Sequence, residues 1–278
     1  MPSGRFAPAV ALLVALVGPT PVPADDPPPE ALKPPAFEEF VVVPLRVHVL
    51  ASADLPDVNC GLADSDLARV VGKVNAIWHQ AGVHWRLDGL IREPAARPVE
   101  FQAALEADPG DKLAVYRLLA PEGSRSGEGM DVYYIRKFSV NGVYLGRRMA
   151  FVQETAKLRP VPGGIDEPLP RVTAHELGHA LGLPHRQDRT NLLASGNNGT
   201  TLNPAEAETA KGRALITPGA LAVPEIRKRV DEALAKGEKA EARRLLGWLV
   251  EVPGEGAAEA RKRREALPAE PEPKGARP

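Results

Sequence analysis

The chain has 278 residues, of which 44% are hydrophobic, enough for one globular domain of ordinary size and a further segment. Its 35 basic and 36 acidic residues give a formal net charge of −1, which excludes a generally basic protein that binds nucleic acid or an anionic membrane. A single cysteine excludes an internal disulfide.

The N-terminal segment has the pattern of a secretory signal peptide, which we predict for residues 1–24. Arg5 lies in a short basic start, residues 7–17 form an apolar run, and residues 22–24 form a small-residue cleavage site. The apolar run is too short to span a bilayer. An uncleaved anchor and an apolar start that arose by chance are the alternatives. Cleavage would give a secreted or periplasmic protein with no membrane partner.

A predicted globular domain, residues 37–218, follows a proline-rich and acidic linker at residues 25–36. The domain begins with residues 40–50, where apolar and polar side chains alternate as in a half-buried strand. Residues 64–80 carry apolar side chains at helical spacing and predict a core helix. Three further strands are predicted, at residues 83–87, 113–119 and 131–135.

Residues 143–152 predict an interrupted, partly exposed strand. An ordinary hairpin strand and an exposed edge strand are both compatible with this pattern. Residues 153–170 are rich in proline and glycine, which predicts a loop that leads into the next helix.

The segment from His175 to His185 reads HExxHxxGxxH and contains three of the 6 histidines of the chain. Residues four apart lie on one face of a helix, so His175 and His179 can present two imidazoles to one metal ion. Glu176 is close enough to reach a metal-bound water without taking a ligand position. A surface helix that carries two histidines by chance is the alternative, and the clustering of half of all histidines argues against it.

Gly182 and Pro184 predict the end of this helix, because glycine readily takes a left-handed turn and proline cannot continue a helix. The reversed chain returns His185 as a third imidazole. Three neutral histidines with a fourth position left to water are the arrangement of a catalytic zinc, since a structural zinc usually has four protein ligands. The sequence therefore predicts one Zn²⁺ held by His175, His179 and His185.

At its five fixed positions this motif resembles the metzincin clan of zinc endopeptidases. The resemblance implies an α+β, zincin-like fold with a twisted mixed sheet, an antiparallel edge strand above the cleft, an active-site helix and a methionine turn beneath the zinc. Residues 143–152 correspond to the edge strand, whose free edge can pair with an extended peptide.

Residues 191–196 resemble the methionine turn, but Leu193 stands at the methionine position. Leucine and methionine have similar volumes, so such exchanges usually cost below roughly 1.5 kcal/mol. Arg186 follows the third histidine, where the better-known subfamilies have Ser, Asp, Glu or Pro. Tyr144 is the last tyrosine, so the extra tyrosine ligand that some members carry after the turn is absent.

The C-terminal part of the chain predicts helices only. Residues 204–215 form a helix capped by Asn203, and residues 219–267 form a helical extension that we expect to pack on the catalytic domain. Within the extension, charged amphipathic helices are predicted at residues 223–236, 238–250 and 255–267. Residues 268–278 predict a disordered tail.

Other polar residues could have a functional or a purely structural role. Cys60 could occupy the fourth zinc position and hold the enzyme latent, although a buried or loop thiol fits its place after the first strand better. Asp188 and residues 197–199 could border a substrate pocket or bind calcium, although such loops usually only turn. Three further histidines are expected to be hydrogen-bonded polar residues: His48, His79 and His84.

These features together predict a secreted zinc-dependent endopeptidase whose partner is a peptide or protein substrate. A zinc-activated water would hydrolyse the peptide bond, with Glu176 as general base. Two alternatives remain open: a zinc-binding interaction module without catalysis, and a zinc hydrolase of a non-protein substrate. Glu176 argues against the first, because a binding module needs no base beside its metal.

Overall fold

A computed structural model describes residues 32–107, 114–162 and 164–268. The predicted signal peptide, residues 25–31 of the predicted linker and residues 269–278 of the predicted tail lie outside the described residues. Within the described part, no helix combines the length and the apolar character that a membrane span requires.

Within the described residues, a six-stranded sheet forms the centre of the protein, with the order β2-β1-β3-β5-β4 and a short β6 beside β1. Neighbouring strands are parallel, except that β4 runs antiparallel to β5 at one edge and β6 runs antiparallel to β1. The predicted fold class, a mixed sheet with an antiparallel edge strand followed by a helical extension, is confirmed. The strands are β1 Val41–Ala51, β2 Val83–Pro94, β3 Met130–Ile135, β4 Gly142–Tyr144, β5 Met149–Gln153 and β6 Leu221–Ala222.

The described residues also form seven α-helices, and their sequences explain their positions. In the first, Leu67, Val70 and Val74 recur at helical spacing and are completely buried. The fourth begins at a capping box in which the Asn203 side chain accepts from the Glu206 amide. The helices are α1 Asp64–Trp78, α2 Pro98–Ala107, α3 Pro168–Ala180, α4 Pro204–Leu215, α5 Val223–Ala235, α6 Lys239–Glu251 and α7 Glu255–Glu265.

The main core lies between one face of the sheet and helices α1, α3 and α4. Val43, Leu45 and Val47 of β1 point into it, as the alternation along a strand requires. Leu177 of α3 packs in the same cluster. This core holds α3 against the sheet, so the histidines on that helix are fixed relative to the strands.

The other face of the sheet is covered by two smaller clusters. Helix α2 and neighbouring segments pack around Leu50, Tyr133 and Phe151, near the ends of the strands. Helices α5, α6 and α7 pack on Phe40 and Val42, at the start of β1. The C-terminal helices are therefore in contact with the central sheet.

Two sequence predictions about this fold need correction. The strand predicted at residues 113–119 is wrong, because Ala114–Leu119 forms a short 3₁₀ helix in which Tyr116 and Leu119 share the buried side at a spacing of three. Residues 143–152 do not form one interrupted strand. They form a hairpin of β4 and β5, with Gly146, Arg147 and Arg148 in left-handed conformations between them.

Candidate metal centre

Helix α3 carries the first two histidines of the motif. It begins at Pro168, which needs no hydrogen-bond partner at the first helical position. Its residues from Leu169 to Gly178 are buried, which explains why this helix shows no wide polar face. His175 is 8% exposed, whereas His179 is half-buried and closer to the mouth of the cleft.

The end of α3 returns the third histidine to the first two. Gly182 has a φ of 83°, the left-handed conformation predicted from the sequence. The amide of Leu183 then donates to the carbonyl of Gly178 at 3.0 Å and closes the turn. His185 follows after Pro184, and its imidazole lies beside those of the helix.

The three imidazoles converge on one point. The Nε2 atoms of His175 and His179 are 3.0 Å apart, those of His179 and His185 are 3.1 Å apart, and those of His175 and His185 are 3.3 Å apart. Nitrogen atoms bound to one tetrahedral zinc at ~2.0–2.1 Å would lie about 3.4 Å apart, so the observed triangle fits such an ion closely. Among the described residues, these three side chains are the only group of three or more potential ligands that could hold a metal ion.

Backbone carbonyls fix the tautomers of two of these rings. Nδ1 of His175 donates to the carbonyl of Leu192, and Nδ1 of His179 donates to the carbonyl of Leu183, both at 2.8 Å. Each ring then keeps its Nε2 lone pair for a metal ion. Burial, together with the neighbouring His179 and His185, lowers the pKa of His175 to about 4, so the ring is neutral near pH 7. Facing lone pairs repel one another, and a cation between them removes this repulsion.

Glu176 lies in the same cleft and is 5% exposed. Burial raises the pKa of its carboxyl group to about 8, and a hydrogen bond from the backbone amide of Tyr144 opposes this rise. The hydrogen bond comes from the edge strand β4 and joins the strand to helix α3. Glu176 does not belong to the three-histidine group, in keeping with its predicted place beside the ligands.

The turn that contains Leu193 packs directly against helix α3. The Leu193 side chain is completely buried, and its two methyl carbons lie 3.1 Å from the position that a Cβ on Gly178 would occupy. The preceding carbonyl, of Leu192, is the partner of His175. The turn therefore supports the first histidine through its backbone and the helix through its side chain.

Glu206 joins the segment after the third histidine to this turn. Its buried carboxylate accepts from Nε of Arg186 at 2.5 Å, from Nδ2 of Asn191 at 2.8 Å and from the amide of Asn203 at 2.9 Å. Arg186, the residue after the third histidine, therefore bonds this segment to helix α4.

A cavity of about 460 Å³ surrounds the three histidines. Gly142, Val143 and Tyr144 of the edge strand form one wall, and the segment from Ala194 to Gly196 forms part of another. The remaining lining residues include Leu158, Val172 and Asn198. The cleft therefore lies between an open strand edge and the metal-binding group.

The other predicted polar residues lie elsewhere or have structural partners. Cys60 is not part of the three-histidine group, and burial raises the pKa of its thiol to about 12, which disfavours a metal-binding thiolate. His48 is completely buried between Glu93 and Asp131, with ring nitrogens 2.7 and 3.0 Å from their carboxylates. Nε2 of His79 lies 3.1 Å from Nδ1 of His84. The Asp188 carboxylate accepts from the amide and hydroxyl of Thr190, and Asn198 does border the cavity.

Several residues that shape the cleft were not predicted from the sequence. Arg171 is completely buried on α3 and donates to the carbonyls of Arg159 and Asn198, which joins the two loops below the cleft. The side-chain amide of Asn141 holds the backbone of Lys157, because its oxygen accepts from the amide of Lys157 and its nitrogen donates to the carbonyl. The sequence signal for Arg171 was an arginine among apolar residues at the start of the predicted helix.

No protein-family model matches this sequence, and the comparison with curated proteins gives no match. Among solved structures, 68 chains match this chain. A chain of a chaperone–substrate complex matches with a TM-score of 0.35 and 15% identity over 64% of this chain and 36% of that chain. Archaemetzincin from Methanopyrus kandleri matches with a TM-score of 0.35 and 18% identity over 63% of this chain and 96% of that chain. Metalloproteinase-II from Bacteroides fragilis matches with a TM-score of 0.35 and 11% identity over 67% of this chain and 56% of that chain.

The protein thus spans less than two thirds of the first and third of these chains. At such TM-scores and identities, the three likenesses identify neither a family nor an activity.

Proposed function

We propose that the protein is an exported zinc-dependent endopeptidase. The observation that carries this proposal is the convergence of three imidazole nitrogens beside a buried carboxylate in an open cleft. His175, His179 and His185 would hold the ion. Their donor set and spacing suit zinc, and with three protein ligands one position stays open for catalysis.

When bound, zinc supplies a Lewis acid that polarises the scissile carbonyl and lowers the pKa of its water to about 7. A cation held by the three histidines would favour the ionised form of the Glu176 carboxyl group. The Glu176 carboxylate would then accept a proton from the attacking water and return it to the leaving nitrogen. The amide of Tyr144 holds this carboxylate in position within the cleft.

The edge strand β4 favours a peptide over a compact substrate. The carbonyl of Asn141 and the amide of Leu145 bond to β5, so the backbone groups of Gly142 and the carbonyl of Tyr144 point to the free edge. This edge forms a wall of the cleft. An extended peptide can therefore pair with the strand and present its backbone carbonyl to the metal-binding group.

The test combines metal analysis with peptide digestion. The zinc-loaded protein should cleave members of a broad peptide library. The Glu176→Gln variant should retain its zinc and lose turnover by at least about 10²- to 10⁴-fold, the usual contribution of a positioned general base.

The matched control is the double variant His175→Ala with His179→Ala, which should lose both zinc and activity. Metal content then separates loss of the base from loss of the ligands. If the zinc-loaded wild type cleaves no peptide, the peptidase proposal fails. A zinc-binding interaction module, or a hydrolase of a non-protein substrate, then takes its place.

Export is part of the same proposal and has a separate test. It is supported by the basic start, apolar run and small-residue site in residues 1–24. N-terminal sequencing of the protein recovered outside the cytoplasm should begin close to residue 25. Recovery of a chain that still carries the apolar run would contradict cleavage.

A further inference from the structure

Five exposed cationic side chains surround one end of the cleft. They line two open grooves, which meet at Lys157. We call these five residues the basic rim: Arg136, Lys137, Lys157, Arg159 and Arg189.

Both grooves are continuous with the cavity that holds the three histidines. Asn141 lines the cavity and the first groove. Leu158, Ser195 and Gly196 line the cavity and the second groove. A peptide that leaves the cavity at this end therefore passes over the basic rim.

The charges of the basic rim are unbalanced. Within the described residues, no rim side chain forms an ion pair with a carboxylate, whereas Arg69, Arg92 and Arg244 elsewhere do so. Among the described residues that line the two grooves, Asp57 is the one acidic residue. Because acidic and basic residues are nearly equal in number over the whole chain, this excess is local.

The backbone of the rim is held in place from several sides. Asn141 bonds to the amide and the carbonyl of Lys157, at 3.1 and 2.9 Å. The Asn197 side chain accepts from the amide of Arg159 at 2.5 Å, and the buried Arg171 donates to the carbonyl of Arg159 at 2.9 Å. These bonds order the backbone and leave the cationic side chains free for a ligand.

The strand direction places the basic rim relative to the scissile bond. Strand β4 runs from Gly142 to Tyr144, and its start adjoins Asn141 and the rim. A substrate that pairs antiparallel with β4, the slightly more stable arrangement, has its C-terminal part at this end. Residues that follow the scissile bond would therefore contact the rim.

We infer that the basic rim is a subsite for acidic residues of the substrate on the C-terminal side of the scissile bond. This inference rests on the proposed peptidase function and defines its substrate class as peptides with Asp or Glu shortly after the cleaved bond. Opposite charges in an exposed groove attract the substrate and fix its register.

The test compares two peptide substrates that differ only in charge. The zinc-loaded protein cleaves each of them in a separate reaction. One peptide carries Asp and Glu at the positions after the scissile bond, and the other carries Asn and Gln there. An exposed charge pair contributes about 1.4- to 5-fold, so kcat/KM should be about tenfold higher for the acidic peptide at low salt. The preference should shrink as salt screens the charges.

The triple variant R136E, K137E and K157E should lose this preference, while its kcat/KM for the amide peptide stays within about twofold of the wild type. A matched control with the same change in net charge is K236E, K239E and K262E, three exposed lysines without a carboxylate within ion-pair distance among the described residues. The control should keep the wild-type preference, and activity on the amide peptide shows that each variant is folded.

Equal cleavage of both peptides by the wild type would overturn the inference and leave the proposed function intact. A preference for acidic residues before the scissile bond, or a preference unchanged in the rim variant, would also overturn it. Cleavage of neither peptide would overturn the proposed function and the inference together. Stronger inhibition by a short oligonucleotide than by the acidic product peptide would reassign the rim to nucleic acid.

Discussion

Gly142 lies so close to Glu176 that a Cβ added to it would be 2.8 Å from both Cγ and Oε1 of the glutamate. The same Cβ would be 2.6 Å from a methyl carbon of Val172. Atoms in real structures do not approach so closely, so only glycine allows the edge strand to reach helix α3 here. This approach brings the amide of Tyr144 to the Glu176 carboxylate.

Gly142→Ala should therefore impair activity more than stability. The new methyl group must displace Glu176 or the strand, and overpacking of this kind costs about 1–3 kcal/mol. We expect kcat/KM to fall at least about tenfold, because small displacements at a reacting centre have large effects. Metal content should stay at the wild-type level.

The control for this change is Gly72→Ala, on helix α1, where an added Cβ has no atom within 4 Å. Alanine is a better helix former than glycine, so this variant should be fully active and more stable by roughly 0.5–1 kcal/mol. Wild-type activity of Gly142→Ala would show that the edge strand does not constrain Glu176.

Leu193 should behave as a core residue that tolerates methionine. Its side chain is completely buried and packs against Gly178, so Leu193→Ala should reduce the free energy of unfolding by about 2–5 kcal/mol. Leu193→Met should change it by less than about 1.5 kcal/mol. Leu215→Ala, at a leucine 49% exposed on α4, serves as control and should change it by less than about 0.5 kcal/mol. Chemical denaturation measures the free energy of unfolding of all three variants. Equal, small effects of both Leu193 changes would show that this residue is not part of the core.

Zinc should stabilise the folded protein. The three Nε2 atoms are already 3.0–3.3 Å apart, so a free ion binds the folded state far better than the unfolded chain. At zinc concentrations about 100 times the Kd, the gain should be near 2.7 kcal/mol. Thermal unfolding of chelated and reloaded protein measures it. The His185→Ala variant should lose most of this zinc-dependent stabilisation, whereas the control His84→Gln should keep it. Equal stabilisation of both variants would exclude His185 as a ligand.

The metal-free protein should lose stability as the pH falls below about 6.5. Burial, together with the neighbouring His84, lowers the pKa of His79 from 6.5 to about 4. Between these values the unfolded chain binds a proton that the folded protein does not, so acid favours unfolding. Above pH 6.5 the ring is neutral in both states, and the effect is absent.

Denaturant unfolding in the presence of a chelator, between pH 7.5 and pH 4.5, tests this expectation. The His79→Gln variant should show a weaker loss of stability toward low pH than the wild type, because it lacks one titrating ring. Identical pH dependence of the two proteins would mean that His79 accepts its proton equally well in the folded state.

The candidate metal centre could be predicted from the sequence because its geometry is local. Two histidines one helical turn apart, a left-handed glycine and a nearby third histidine fix the ligand positions within a few residues. Helix α4 could be predicted for the same reason, since Asn203 and Pro204 mark its start. Local spacing determines both features, and the tertiary structure has little freedom to change them.

The walls of the cleft could not be predicted in this way. Arg171 bonds to carbonyls of residues far along the chain, and the closeness of Gly142 to Glu176 exists only after the hairpin and the helix pack together. The prediction of a strand in the segment Ala114–Leu119 was wrong for a related reason. Its apolar residues are compatible with a strand and a short helix, and packing beside α2 selects the helix.

The two-residue strand β6 connects the C-terminal helices to the start of β1, which these helices cover. Leu221 and Ala222 pair with Val42 and Val41, and the helices beyond them bury Phe40 and Val42 to 2% exposure. A proteolytic cut just before β6 would uncover an apolar strand with free backbone groups, which is the typical starting point of edge-to-edge aggregation. The solubility of the protein therefore depends on this connection, and a cut there would precipitate the molecule while leaving His175, His179 and His185 in place.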